Sequence, residues 1–183
     1  MHRAFNTDDD VELRRAERDV RTALGDLDLD LGPLMAVSNI FRAATAVRTH
    51  MESTVLAAEQ LSWSAFVVLF VLRVWGTQES SQLAHEAGIA PGTLTGVLKT
   101  LEKRGMARRE PHPDDKRRVI VAATSAGQSA INTIMPNFNH QESLVTGELS
   151  GEQRADLSHL LRLVLRSVDA AGAIRTTEGS PED

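Results

Sequence analysis

Three residues constrain this chain more than any others. Gly88, Pro91 and Gly105 mark where helices must stop and start within one short stretch, Ser80 to Thr124. Ser81, Leu83, Ala84 and Ala87 sit at one-helix spacing, and Gly88 follows where a left-handed cap would end the helix. Pro91 suits the first turn of a second helix. In that helix Leu94, Val97, Leu98 and Leu101 form an apolar face, and Thr93, Thr95, Lys99 and Thr100 form an outward one. Gly105 ends it. Met106 to Glu110, a turn with Pro111 and Pro113, and Lys116 to Ala123 then read as a two-stranded hairpin. The pattern predicts a helix-turn-helix followed by a basic wing.

Charge supports that unit as a surface for phosphates. The 183-residue chain has a net charge of −5, with 20 Lys and Arg against 25 Asp and Glu. Between Lys99 and Arg118 there are eight cations and four acids, a local excess of +4 in an otherwise acidic molecule. A basic surface confined to one helix-hairpin unit is the footprint of a nucleic-acid contact; a solvated charged hairpin is the alternative. The chain has no cysteine, which excludes disulfides and thiolate metal sites, and its six histidines lack metal-site spacing. No metal or cofactor is expected. No run approaches the roughly 20 apolar residues of a membrane span, and the acidic start is unlike a secretion signal, so a cytoplasmic protein is expected.

The flanks are helical. Leu13, Ala16, Val20, Ala23, Leu24 and Leu27 keep helical spacing and predict a helix from about Asp8 to Leu24, folded on its own subunit or embracing a partner, with a disordered terminal segment as the alternative. Leu34, Val37, Ile40, Phe41, Ala44, Val47, Met51 and Val55 predict a long amphipathic helix from Gly32 to about Ala57. Ser62 is a good N-cap for a buried helix from Trp63 to Trp75. Thr124 should cap another helix that reaches about Gly147, with a kink at Pro136. A last helix begins near Ser150, where Leu157, Leu160, Leu161, Val164, Leu165 and Val168 form a regular stripe; past Ala171 the tail reads as frayed. The globular body looks too small to bury every stripe, so the terminal helices are expected to pair with a second copy.

With these elements in place, the chain resembles the multiple antibiotic resistance regulator (MarR) family of bacterial winged-helix transcription factors, over about Leu34 to Val168. The resemblance is carried by Leu101-Glu-Lys-Arg-Gly-Met-Ala-Arg-Arg109 and by Asp114 to Gly127. The family's Asp-x-Arg wing motif falls on Asp115 and Arg117. It implies a mainly α fold with a small β-hairpin wing: residues 1–31 as an extension aiding dimerisation, 32–171 as the winged domain, and 172–183 as a flexible tail. Within the domain, 62–124 would form the DNA-binding lobe, and 32–58 and 125–171 the dimerisation helices. Where the family usually shows Thr-Val-Thr-Arg-Leu-Val-Asp-Arg-Leu-Glu, this chain has Thr93 to Glu102 with Gly96, Lys99 and Thr100 in place of Arg, Asp and Arg. Base reading should differ accordingly.

The resemblance implies a homodimer on a palindromic operator, with half-sites about one helical turn apart. The helix starting at Pro91 would enter the major groove and offer Thr93, Thr95 and Lys99 to base edges. Thr100, Lys103 and Arg104 would meet phosphates. Arg117, braced by Asp115, would reach a minor groove, while Arg118 could turn to the protein. It also implies a repressor released by a small aromatic or phenolic anion, bound near Val47, His50, Met51, Trp63, Phe66, Val67 and Met135. By residue type and helical spacing, all of these but His50 are more simply core. Two rivals are a winged-helix module that binds protein without an operator, and an enzyme. No phosphate loop, nucleophile elbow or paired-carboxylate constellation supports the last, so no catalytic residue is expected.

Overall fold

The computed structural model describes residues 10–178, with side chains from 14 to 171. Asp8, Asp9 and the Leu13 side chain, and the end of the tail after residue 178, lie outside the described residues. The elements in order are α1 (Asp10–Ala23), α2 (Leu31–Met51), a π-helical turn (Glu52–Leu56), α3 (Trp63–Trp75), β1 (Gln78–Glu79), α4 (Ser80–Glu86) and α5 (Pro91–Lys103). Then come β2 (Ala107–Pro111), β3 (Val119–Ala123), α6 (Ser125–Val145) and α7 (Gly151–Glu178). Among the described residues no helix is long and apolar enough to cross a membrane. The chain divides into two compact units between Phe138 and Asn139.

The first unit is organised on α3. Ser62 adopts an extended backbone and its Oγ accepts a hydrogen bond from the Ala65 amide at 3.3 Å, so the predicted N-cap starts the helix. Because α3 is apolar nearly all round, Phe66, Val68, Leu69, Val71 and Leu72 are buried. They pack with Leu83 of α4, Leu94, Leu98 and Leu101 of α5, Val121 of β3, and Ile131 and Ile134 of α6. At roughly 1.5–3 kcal/mol for each fully buried large aliphatic side chain, this single core fixes the helix-turn-helix against its scaffold.

The helix before it differs from the continuous element expected to Ala57. Its last turn widens to a π-helix, with the Ala57 amide donating to the Glu52 carbonyl at 2.9 Å. The hydroxyls of Ser53 and Thr54 both donate to the His50 carbonyl, at 3.0 and 2.7 Å, and compete there with the regular ladder. Ahead of α2, Ala16 of α1 is buried and Asn39 Nδ2 of α2 donates to Glu17 Oε1 at 2.9 Å, so α1 meets its own chain. Val37 and Phe41, in contrast, leave apolar surface exposed on α2.

Both helices of the helix-turn-helix end in the same hydrogen-bond motif. At Gly88, with φ of 62°, the Ile89 amide reaches the Ala84 carbonyl and the Gly88 amide that of His85, both at 3.0 Å. At Gly105, with φ of 67°, the Met106 amide reaches Leu101 and the Gly105 amide Glu102, both at 2.8 Å. These paired bonds satisfy carbonyls that a helix end otherwise leaves open, and the left-handed residue they need is glycine. The wing is an antiparallel pair, Ala107 opposite Ala123 and Pro111 opposite Val119. A third strand, β1, adds to the other side of β3 with Gln78 opposite Val121, giving the order β1-β3-β2. Thr124 closes the unit: its Oγ1 donates to the Gly105 carbonyl at 2.6 Å and accepts from the Gly127 amide at 3.2 Å.

α6 carries Pro136 in its interior. The second unit holds the end of α6 and α7. Ser150 and Gln153 cap α7 reciprocally, each side chain bonding the other's amide, at 3.2 and 2.8 Å. Its stripe stays open: Leu157, Leu160, Leu165 and Val168 are all exposed, the last two by 63% and 62%. The helix continues to Glu178, beyond the point where fraying was expected at Ala171.

Candidate nucleic-acid interface

The interface is built on α5, the wing and the groove between them. Leu94, Leu98 and Leu101 anchor α5 in the core, which turns Thr93, Thr95, Lys99, Thr100 and Lys103 outward as the spacing predicted. Thr95 Oγ1 donates to the Pro91 carbonyl at 3.1 Å and Thr100 Oγ1 to the Gly96 carbonyl at 3.2 Å. With the donor satisfied inside the helix, each threonine presents a methyl and acceptor lone pairs to a partner. Pro91 stands at the start of α5, and its N-cap Ala90 supplies no side-chain hydrogen bond. The first amides of α5 therefore lack a side-chain cap, as suits an anion approaching this end.

The wing tip is held by its own carboxylate. Asp115 Oδ1 accepts from the Arg117 amide at 3.0 Å and from Arg117 Nε at 3.1 Å, while Oδ2 accepts from the far guanidinium nitrogen at 3.3 Å. These side-chain and then backbone hydrogen bonds hold the Asp115 carboxyl below the ordinary aspartate range. The Arg117 side chain is nevertheless 91% exposed. It is oriented by Asp115 and still presented outward, the combination a minor-groove arginine needs. A groove of about 620 Å³ brings Pro91 and Thr95 of α5 together with Lys116 and Arg117 of the wing.

The other arginines are used differently. Arg104, expected among the phosphate contacts, directs its guanidinium to the carbonyls of Gln60 and Glu59, at 2.8 and 2.9 Å, across the turn before α3. Arg118 pairs with Glu79 of β1, with Nε to Oε2 at 2.9 Å and a second contact between NH2 and Oε1. It thus ties the base of the wing to β1, a strand without any signal in the sequence pattern. Arg109 is bidentate on Glu102 of α5, with Nε to Oε1 at 2.9 Å, and this hydrogen bond holds the Glu102 carboxyl below its usual range. Arg108 pairs with Glu110 at 2.6 Å. Among the described residues, Lys99, Lys103 and Lys116 form no ion pair, so their charges remain available.

Most of the residues assigned by resemblance to a ligand region belong to the core. Met51 and Phe66 are buried, and Trp63, Val67 and Met135 pack against them. Phe66 and Phe138 stack with centroids 4.4 Å apart, and Trp63 lies 6.2 Å from Phe138. His50, next to Met51 in sequence, is half-buried at the end of α2.

A helix-turn-helix with a three-stranded sheet, an outward cationic helix face and a braced arginine at the wing tip define a winged-helix DNA-binding protein. A sequence model of the MarR family matches residues 61–119, from the residue before Ser62 to the start of β3. The chain is 35% identical to the HTH-type transcriptional regulator YwaE of Bacillus subtilis over 84% of its length and 91% of that protein. It is 27% identical to the HTH-type transcriptional repressor NicR of Pseudomonas putida, over 74% of its length and 86% of NicR. The structure of BpsR of Bordetella bronchiseptica, whose DNA binding is regulated by 6-hydroxynicotinic acid, superposes with a TM-score of 0.65. That match has 25% identity and covers 70% of this chain and 97% of BpsR. The protein belongs to the MarR family of winged-helix, DNA-binding transcriptional regulators.

Proposed function

We propose that the protein is a homodimeric repressor that binds a palindromic operator and is released from it by a small aromatic anion. The observation that carries the DNA arm is the groove joining α5 to the wing, with Arg117 braced at its edge and Lys99 and Lys103 free on the helix. In this reading Thr93, Thr95 and Lys99 meet base edges, Thr100, Lys103 and Lys116 the flanking phosphates, and Arg117 the adjacent minor groove. Arg104 and Arg118 act through the protein, holding α5 and the wing base in place. The dimer arm is supported by apolar surface left open on two elements, Val37 and Phe41 on α2 and the Leu157 to Val168 stripe on α7. A second copy covering them gives the two-fold symmetry that an operator with two half-sites requires.

Repression is supported by likeness to NicR, and control by a ligand by likeness to BpsR. A ligand seated at Trp63 and Phe66 would have to part their packing with Phe138. It would therefore change how α3 supports the α4 and α5 pair, and favour a dimer whose recognition helices no longer match the groove.

The test begins with duplexes selected from genomic fragments by the purified protein, followed by fluorescence anisotropy across salt. Arg117→Ala is expected to weaken binding and flatten the salt dependence by about one unit of slope, with the thermal transition unmoved. Unchanged affinity and slope would remove the wing assignment. Sedimentation giving a monomer would remove the dimer. 6-Hydroxynicotinic acid and a set of phenolic acids that neither shift the melt nor release DNA would remove the ligand arm.

A further inference from the structure

Gly96 stands near the middle of α5, where glycine is the second-worst residue for helix stability after proline. Relative to alanine it lowers the folding equilibrium about two- to fivefold. Four glycines elsewhere in the first unit have intramolecular reasons, whereas Gly92, in the first turn of α5, has open space around it as Gly96 does. Gly76, Gly88 and Gly105 adopt positive φ, and a side chain on Gly127 would run into the Met106 carbonyl at 2.0 Å. Gly96 has neither reason: its backbone is helical, and a Cβ built there meets no heavy atom within 4 Å. Nothing inside the described chain rewards the missing side chain.

Its place on the helix supplies one. At about 100° per residue Gly96 lies roughly 200° round from Leu94, diametrically opposite the buried seam of Leu94, Leu98 and Leu101. It therefore lies on the outermost line of α5 together with Lys103, and Lys99 and Thr100 flank it on the exposed face. On an α-helix the Cα atoms lie about 2.3 Å from the axis, so the positions without a Cβ, Gly96 and Gly92 one turn before it, let a partner come closer than the other residues of that face do.

We infer that Gly96 is a specificity-determining residue: the backbone of α5 seats against base-pair edges there, and any Cβ holds the helix off the groove floor. The inference rests on the DNA reading above and assigns it a contact point. The neighbouring threonine methyls and the Lys99 amine then reach bases only because the helix lies this deep. Phosphate contacts, made from the rim by Lys103, Lys116 and the wing, depend on it less.

The test uses the full chain with Gly96→Ala and Gly96→Ser, a duplex selected from genomic fragments, and a random-sequence duplex of equal length. Gly96→Ala is expected to raise the melting temperature by about 1–4 °C. It should also weaken binding to the selected duplex by about tenfold, leaving affinity for the random duplex and the salt slope unchanged. Gly96→Ser should lose at least as much. A Gly96→Ala protein that is more stable and binds the selected duplex within twofold of the parent overturns the inference while leaving the DNA reading intact. A parent protein that binds both duplexes equally, or neither, overturns both.

Discussion

Arg104→Ala separates a structural arginine from a phosphate-binding one. Arg104 stands at the C-terminal end of α5, inside the basic stretch, yet its fork spans two successive carbonyls, Gln60 and Glu59, more than forty residues earlier in the chain. Gln60 has a φ of 52°, the one non-glycine residue with positive φ among those described, and such a backbone costs about 1–2 kcal/mol outside glycine. The two hydrogen bonds are exposed, so each is worth about 0.5–1 kcal/mol rather than the larger value of a buried charged bond. Cutting both should cost about 1–2 kcal/mol, which for a chain of this size lowers the melting temperature by roughly 3–6 °C. Arg104→Lys retains the charge but not the fork, and is expected to lose nearly as much stability. Thermal melts by circular dichroism read the first effect. Anisotropy titration of a selected duplex from 50 to 200 mM salt, roughly the range in which counterion release is steep, reads the second. The slope of log affinity against log salt should not change. If Arg104→Ala melts with the parent protein and its slope falls by about 0.9, the arginine meets a phosphate and the structural assignment is wrong.

Three further outcomes follow from the same geometry. Gly127→Ala places a Cβ 2.0 Å from the Met106 carbonyl oxygen, a backbone atom that cannot swing away, so the variant should lose about 1–3 kcal/mol in chemical denaturation. Glu102, whose carboxyl is held low chiefly by the hydrogen bond from Arg109, stabilises the fold fully above the ordinary glutamate range of about 4.3 and loses that contribution as pH falls through its lower folded value. The melting-temperature gap between the parent and Glu102→Gln should accordingly be present at pH 6 and narrow progressively as the pH is taken below the ordinary glutamate range. If the proposed dimer forms through α7, Leu160→Asp combined with Leu165→Asp should make the protein sediment as a monomer while the far-ultraviolet spectrum stays helical, since both side chains are exposed in the single chain.

What could be read from sequence was whatever is decided within about one helical turn. The Ser62 cap, Pro91 at a helix start, the stops at Gly88 and Gly105, and the Ser150 start all depend on a side chain or a backbone angle acting on neighbours two to four residues away. The Asp115–Arg117 brace is equally local, but the strand bounds were not: the second strand starts at Val119 rather than at the expected Lys116, and Pro111 belongs to the first strand rather than to the turn. Apolar periodicity likewise set which face of α5 points inward.

Tertiary structure decided the rest. β1 is two residues long with no pattern of its own, and exists because the end of α3 delivers Gln78 and Glu79 alongside β3. The π-turn follows from two hydroxyls converging on one carbonyl. Within the basic stretch, charge alone cannot tell Arg104 from Arg117. One finds carbonyls and the other solvent, because partners distant in sequence become neighbours only when α3 and α5 share a core. Trp63, Phe66 and Met135 read from sequence more simply as core than as pocket, but the residue they pack with, Phe138 against Trp63 and Phe66, was not readable, since apolar residue type specifies burial but not against what.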